Sequence, residues 1–269
     1  MTKVLVPDKL WELVEPLLPT RPSNHRRGRP RVSNRAAFTG IIFVLKTGLP
    51  WEYLPREMNC GSGMTCWRRL LEWQEAGVWE MLHMLLLNKL AEADLIDMKR
   101  AAIDSASVAA PGGGGETGKD PTNRRKLGTK RHVVVDRCGT PLAVTISASN
   151  VHDSQWMLRT VDAIPPIRTG MPGRPRKRPA KLHANKAYDA RSLRDSLRRR
   201  GITPRIARRG IESKERLGRV RWVVERTLSW LNRYRRLKIR YEQRPEVHYA
   251  FLKLGCILIC LNKLGSDFC

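Results

Sequence analysis

Two carboxylates stand out in a chain with few acids. Asp104 ends a short apolar run at 101–105, and Glu225 lies inside the segment 220–228. The run reads as a strand. Glu225 sits at the edge of a helical stripe made by Val220, Val224, Leu228 and Leu231. Carboxylates that converge from separate elements can hold two Mg²⁺ ions about 3.5–4 Å apart. One ion then activates an attacking oxygen and the other stabilises a leaving oxygen, which is the chemistry of phosphoryl transfer. A third ligand is expected at the end of a strand over 181–184. The residue there is Asn185, a neutral and weaker ligand for Mg²⁺, which prefers charged oxygen. Taken singly, a strand-end Asp is more often a turn residue and a helical Glu a surface one, so the assignment rests on the set.

Those residues need elements to position them. Residues 1–98 read as helices: one after Pro7-Asp8, one capped by Ser33-Asn34 and stopped at Gly48, a short turn at 51–54, one over 65–72 with Trp67, and one over about 78–93. The Gly61-Ser62-Gly63 turn before the helix with Arg68 and Arg69 exposed gives a helix-turn-helix-like order. From Ala101 the texture changes. Strands are expected at 101–105, 132–135, 142–146, 181–184 and 203–207. Helices are expected at 153–163, 190–200, 216–237 and 247–264. Three strands, helix, strand, helix, strand, helix is the ribonuclease-H-like order. The fold class expected is therefore α/β: a ribonuclease-H-like domain over 99–269 behind an all-α, helix-turn-helix-like domain over 1–98.

Charge points to the partner. With 51 Lys+Arg against 25 Asp+Glu, the 269-residue chain carries a net +26. Nucleic acid is the default ligand of so basic a protein. A hydrophobic fraction of 41% excludes a wholly disordered basic tail. Between Arg191 and Arg240 there are 18 basic residues and four acids, a local +14. Arg233, Arg235, Arg236, Lys238 and Arg240 there are candidate phosphate contacts, as are Arg221 and Arg226. Gly28-Arg29-Pro30-Arg31 and Gly173-Arg174-Pro175-Arg176 each look like a minor-groove hook, a basic linker being the alternative for either. With Arg27, Arg68 and Arg69 they complete the set of candidate DNA contacts.

The six cysteines form no C-x-x-C pair, so free thiols and a reducing cytoplasm are expected. The first residues lack a signal-peptide pattern. No apolar run is long enough to cross a bilayer.

Several motifs stand in a specific order: Trp11 to Pro19, Arg27-Gly28-Arg29-Pro30-Arg31, Thr47-Gly48-Leu49-Pro50-Trp51, Asp104-Ser105, Gly128-Thr129-Lys130-Arg131-His132, Asn150-Val151-His152-Asp153-Ser154 and Val224-Glu225-Arg226-Thr227. Through them the chain resembles the DDE transposases of bacterial insertion sequences, short members of the four/five superfamily. The resemblance implies a catalytic and metal-binding triad at Asp104, position 185 and Glu225, served by two Mg²⁺ ions with Mn²⁺ as an alternative. It also implies binding to terminal inverted repeats, Mg²⁺-dependent strand cleavage and transfer to target DNA, at least a homodimer to pair two ends, and a nucleoid-associated cytoplasmic location. Where the family's second motif has Asp, this chain has Asn185, which predicts a cleavage-deficient protein. Arg221 matches the family's arginine four residues before the glutamate, while Gly218 and Asn232 occupy its tyrosine and lysine places. Asn185 has three explanations: an engineered Asp→Asn change, natural decay of a mobile element, or substitution by Asp189 or Asp153. Two other readings remain, a non-catalytic DNA-binding repressor and a simple nuclease of the same fold.

Overall fold

The structure is a computed structural model, and it describes residues 4–20, 31–211 and 214–265, the side chains of 214–219 excepted. The hook segment with Arg27 and Arg29 lies outside the described residues, as does Cys269.

The N-terminal region is helical. Helix α1 spans Asp8–Val14 and ends in a 3-10 turn, Glu15–Leu17. Helix α2, Asn34–Thr47, starts as the sequence suggests: the Ser33 hydroxyl accepts from the Ala36 N–H at 3.2 Å. It stops at Gly48, whose φ of 76° is the left-handed cap that glycine adopts without strain. Helix α3, Gly63–Glu75, begins two residues earlier than expected, because Ser62 is its cap through Thr65. Gly63 is required there, since a Cβ would overlap the Trp51 carbonyl. Helix α4 spans Val78–Glu92.

The second region builds on one sheet. Its strands are β1 (Ala101–Ala109), β2 (Gly118–Lys119), β3 (Leu127–Asp136), β4 (Pro141–Ala148), β5 (Lys181–Ala184) and β6 (Thr203–Ile206). The order is β2-β3-β1-β5-β6, with β4 also paired to β3. Strands β1, β3 and β4 are antiparallel neighbours, while β5 and β6 run parallel to β1. This is the ribonuclease-H-like arrangement. Helices α5 (Met157–Asp162), α6 (Arg191–Arg199), α7 (Lys214–Leu231) and α8 (Pro245–Lys263) complete it.

Helix α8 joins the two regions. Its central run from Phe251 to Leu261 is buried on every face, and it packs on α3, α4, α7 and β4. Phe251 stacks on Trp51 with ring centroids 5.6 Å apart. One continuous apolar core therefore runs from Leu10 through Trp79 to Leu182. The buried imidazole of His83 on α4 lies 2.9 Å from the Pro141 carbonyl of β4, a polar tie across the same junction. Among the described residues no helix is long and apolar enough to cross a membrane. The five described cysteines are free thiols, as expected.

Candidate active site

Asp104 is the fourth residue of β1, which continues to Ala109, so it sits within the strand rather than at its end. Strand β1 lies between β3 and β5. The Asp104 carboxylate is largely buried, and its oxygens are occupied. Oδ1 accepts from the Ser105 N–H at 2.9 Å and from Nδ2 of Asn185 at 3.1 Å, and Oδ2 accepts from Arg221 at 2.6 Å. Burial pushes its pKa up, and the Arg221 guanidinium pulls against that rise.

Asn185 is the first residue beyond β5. Its Oδ1 accepts from the Ala187 N–H at 2.7 Å, capping the 3-10 turn Lys186–Tyr188. That bond decides which end of the amide faces the carboxylate. Flipping the amide would set its NH₂ against the Ala187 N–H. The amide therefore presents a donor, not an oxygen, to Asp104.

Glu225 lies on α7 with its side chain 57% exposed. Arg221, one turn earlier, reaches both carboxylates: 2.6 Å from Asp104 and 3.5 Å from Glu225. The three sequence-predicted site residues thus meet at one corner, at the carboxyl end of β5. Arg221, expected as a DNA contact and as the family's arginine four residues before the glutamate, is the cation that holds the two acids together. Its spacing of four residues before Glu225 was the available signal.

The corner offers two carboxylates and an amide donor. Among the described residues no group of three or more His, Cys, Asp or Glu is placed to hold a metal. Asp104 and Glu225 suit a divalent cation, but an N–H at position 185 does not. Two other acids are committed nearby. Asp189 accepts from the Arg209 N–H at 2.9 Å and from Arg194 at 2.5 Å, and these two bonds hold its pKa low. Asp153 pairs with Lys130 at 2.8 Å. Asn232, at the family's lysine place, accepts from the buried Arg131 at 2.8 Å. Gly218 falls among the α7 residues whose side chains are not described.

The arginines divide sharply. Arg31 and Arg68 are exposed and line an open groove of about 1610 Å³ with Arg56, beside the start of α3. Arg233 and Arg235 are exposed as well. Three expectations need correction. Arg69 is buried, donating to Asn34 and to the Val32 carbonyl, because the apolar face of α3 carries it inward. Arg236 is buried against Glu242 at 2.7 Å, and Arg240 is buried with bonds to Thr129 and to the carbonyls of Gly115 and Glu242. Arg226 lies over the rings of both Trp222 and Trp230, 4.5 Å from each centroid, and donates to the Cys138 carbonyl at 2.6 Å.

An acid corner on a ribonuclease-H-like sheet is the arrangement that the resemblance to DDE transposases implies. Residues 96–262 match the family described as "Transposase DDE domain", and residues 6–83 match "Putative transposase of IS4/5 family". The chain belongs to the insertion-sequence DDE transposases of the IS4/5 family. A relative from Burkholderia cepacia, "Putative transposase for insertion sequence element IS402", is 48% identical over 170 residues, covering 63% of this chain and 78% of that protein. A second from the same organism, "Insertion element IS402 uncharacterized 16.2 kDa protein", is 60% identical over 125 residues, covering 45% of this chain and 84% of that one. The solved Mos1 strand transfer complex is 11% identical at a TM-score of 0.29, covering 89% of this chain and 81% of that chain. At that level the likeness supports no statement about this chain.

Proposed function

We propose that this transposase binds duplex DNA at the terminal inverted repeats of its element and, with Asn185 in place, holds those ends without cutting them. The observation that carries the reading is the bond from Nδ2 of Asn185 to Asp104 at 3.1 Å. In a two-metal site a cation must lie between the oxygens at these positions. Here an amide N–H and the Arg221 guanidinium supply the positive ends of that arrangement. They are fixed donors and cannot activate water.

The chain's own groups then have separable roles. Asp104 and Glu225 are the charged ligands of a complete site. Mg²⁺, when bound to such a site, would polarise the scissile phosphate and activate its attacker. Arg31, Arg56 and Arg68 line a groove suited to one face of a duplex. Arg233 and Arg235 offer phosphate contacts beyond α7. Residues 1–98 carry recognition and 99–269 carry chemistry, joined through α8. Pairing two ends calls for at least two copies, and DNA binding keeps the protein with the nucleoid.

Asn185→Asp sets a carboxylate oxygen near Asp104 in place of the amide N–H. Two such oxygens repel unless a cation or proton joins them. The variant is therefore expected to cleave terminal-repeat duplex in Mg²⁺ or Mn²⁺, at a rate orders of magnitude above the Asn185 chain. Equal inertness of both proteins, each folded and bound to the same duplex, would sink the triad assignment. The repressor reading has the same Asn185 in its favour. It gains the field if the Asp variant binds the repeats and still fails to cut.

A further inference from the structure

The second Gly-Arg-Pro-Arg motif has no part in the site just described. It lies in the connection from α5 to β5, at the end of the sheet opposite the catalytic corner. Asn185 follows the last residue of β5, whereas this connection enters at the first, Lys181. The strand alone separates them by roughly 13 Å.

The local structure is well suited to a groove. Ile167 is buried and exchanges both backbone hydrogen bonds with Arg176 at 2.8 Å, which closes the loop 168–175 and extends the chain at Arg176. Pro175 biases Arg174 toward an extended backbone and fixes its own φ. In an extended chain residues i and i+2 share a face, about 6.6 Å apart. Stacked base pairs are about 3.4 Å apart, so Arg174 and Arg176 match a two-base-pair step.

The electrostatics point the same way. Residues 163–188 contain seven Lys+Arg and no acid. Arg174, Arg176, Lys177 and Arg178 are exposed. Arg174 and Arg176 have no side-chain partner among the described residues. A solvated structural loop would carry interleaved acids.

We infer that the loop around Arg174-Pro175-Arg176 is a second DNA contact, one that inserts its two guanidiniums into the narrow minor groove of an A·T-rich duplex outside the stretch held at the catalytic corner. The narrow A·T groove carries the enhanced negative potential that draws in arginine. Double-stranded RNA, with its wide and shallow minor groove, does not fit the same loop. The inference rests on the reading of this chain as DNA-binding, but it concerns a different surface.

The test is competition binding at one fixed salt concentration. The full chain carries Arg29→Ala and Arg31→Ala, so that the first Gly-Arg-Pro-Arg copy cannot mask the second. The probes are 20-base-pair duplexes of A·T-tract DNA, G·C DNA and RNA. Adding Arg174→Ala and Arg176→Ala should weaken A·T-tract binding about tenfold and binding to the other two less than threefold. Circular dichroism confirms that both proteins are folded. Equal losses on all three probes, or no loss on the A·T tract, overturn the inference. Failure of the proposed function is read separately, from the Asn185→Asp variant on a duplex too short to reach this loop.

Discussion

Two arginine–carboxylate clusters lie in the same stretch of sequence and have opposite characters. At the candidate active-site corner, Arg221 bridges Asp104 and Glu225, and the Glu225 side chain is 57% exposed. In the elbow after α7, Arg236 and Glu242 are buried together, and Arg240 beside them makes five hydrogen bonds in the interior. The elbow also ties the regions together, because Arg236 donates to the Leu49 carbonyl and Arg240 to the Gly-rich loop at Gly115. A charge run therefore does not by itself mark a DNA surface. Whether the guanidinium is already saturated decides between scaffold and site.

The largest effect expected from this contrast is on stability. Arg236→Ala strands Glu242 in the interior, and Arg240→Ala leaves several carbonyls unpaired. Each should cost about 3–5 kcal/mol in chemical denaturation. A loss below about 1 kcal/mol would erase the distinction. Arg68→Ala is expected to cost roughly 1–3 kcal/mol per lost base contact on the terminal repeat and less on scrambled DNA, measured by competition at one salt concentration. Equal losses would limit Arg68 to phosphate.

The junction between the regions should show itself in pH. Burial, and after it the nearby Lys253, lower the pKa of His83 to about 3. The unfolded state thus binds a proton that the folded state refuses. The stability His83 contributes is complete above about pH 6.5 and falls as pH drops toward 3, by up to about 1.4 kcal/mol per pH unit. His83→Gln should flatten that slope in denaturation curves taken from pH 7 to 5. An unchanged slope would place the acid sensitivity elsewhere.

The smallest stability effect belongs to the exposed pair. Charge reversal at Arg233 and Arg235 should alter stability by no more than about 0.5 kcal/mol. The same change should weaken binding to any DNA and lower the salt slope by about two. A flat salt dependence in the unaltered chain would remove these residues from the interface.

Much of this was legible in the sequence. Helix α2 could be bounded from Ser33 and Gly48, because caps are local signals, and the strand expected at 181–184 is β5. The corner itself was legible as three positions. Other features were set by long-range contacts. Strand β3 runs from Leu127, not 132, because the polar Arg131 and His132 are buried by partners on other elements, Asn232 beyond α7 and Ser147 on β4. The expected helix over 153–163 is a 3-10 turn followed by α5, with Trp156 between them stacked on His132. The helix expected to reach 237 stops at Leu231, where Asn232 turns to meet Arg131. Arg69, Arg236 and Arg240 looked like surface cations because nothing local marks a buried arginine.

The central claim is that the Asn185 amide supplies a donor where a divalent cation belongs. Calorimetric titration of Mn²⁺ into the Asn185 chain and into the Asn185→Asp variant, at one pH and without DNA, tests it most directly. The expected result is binding by the Asp variant that is at least about a hundredfold tighter than by the Asn185 chain. Equal affinity for the two proteins would contradict the account.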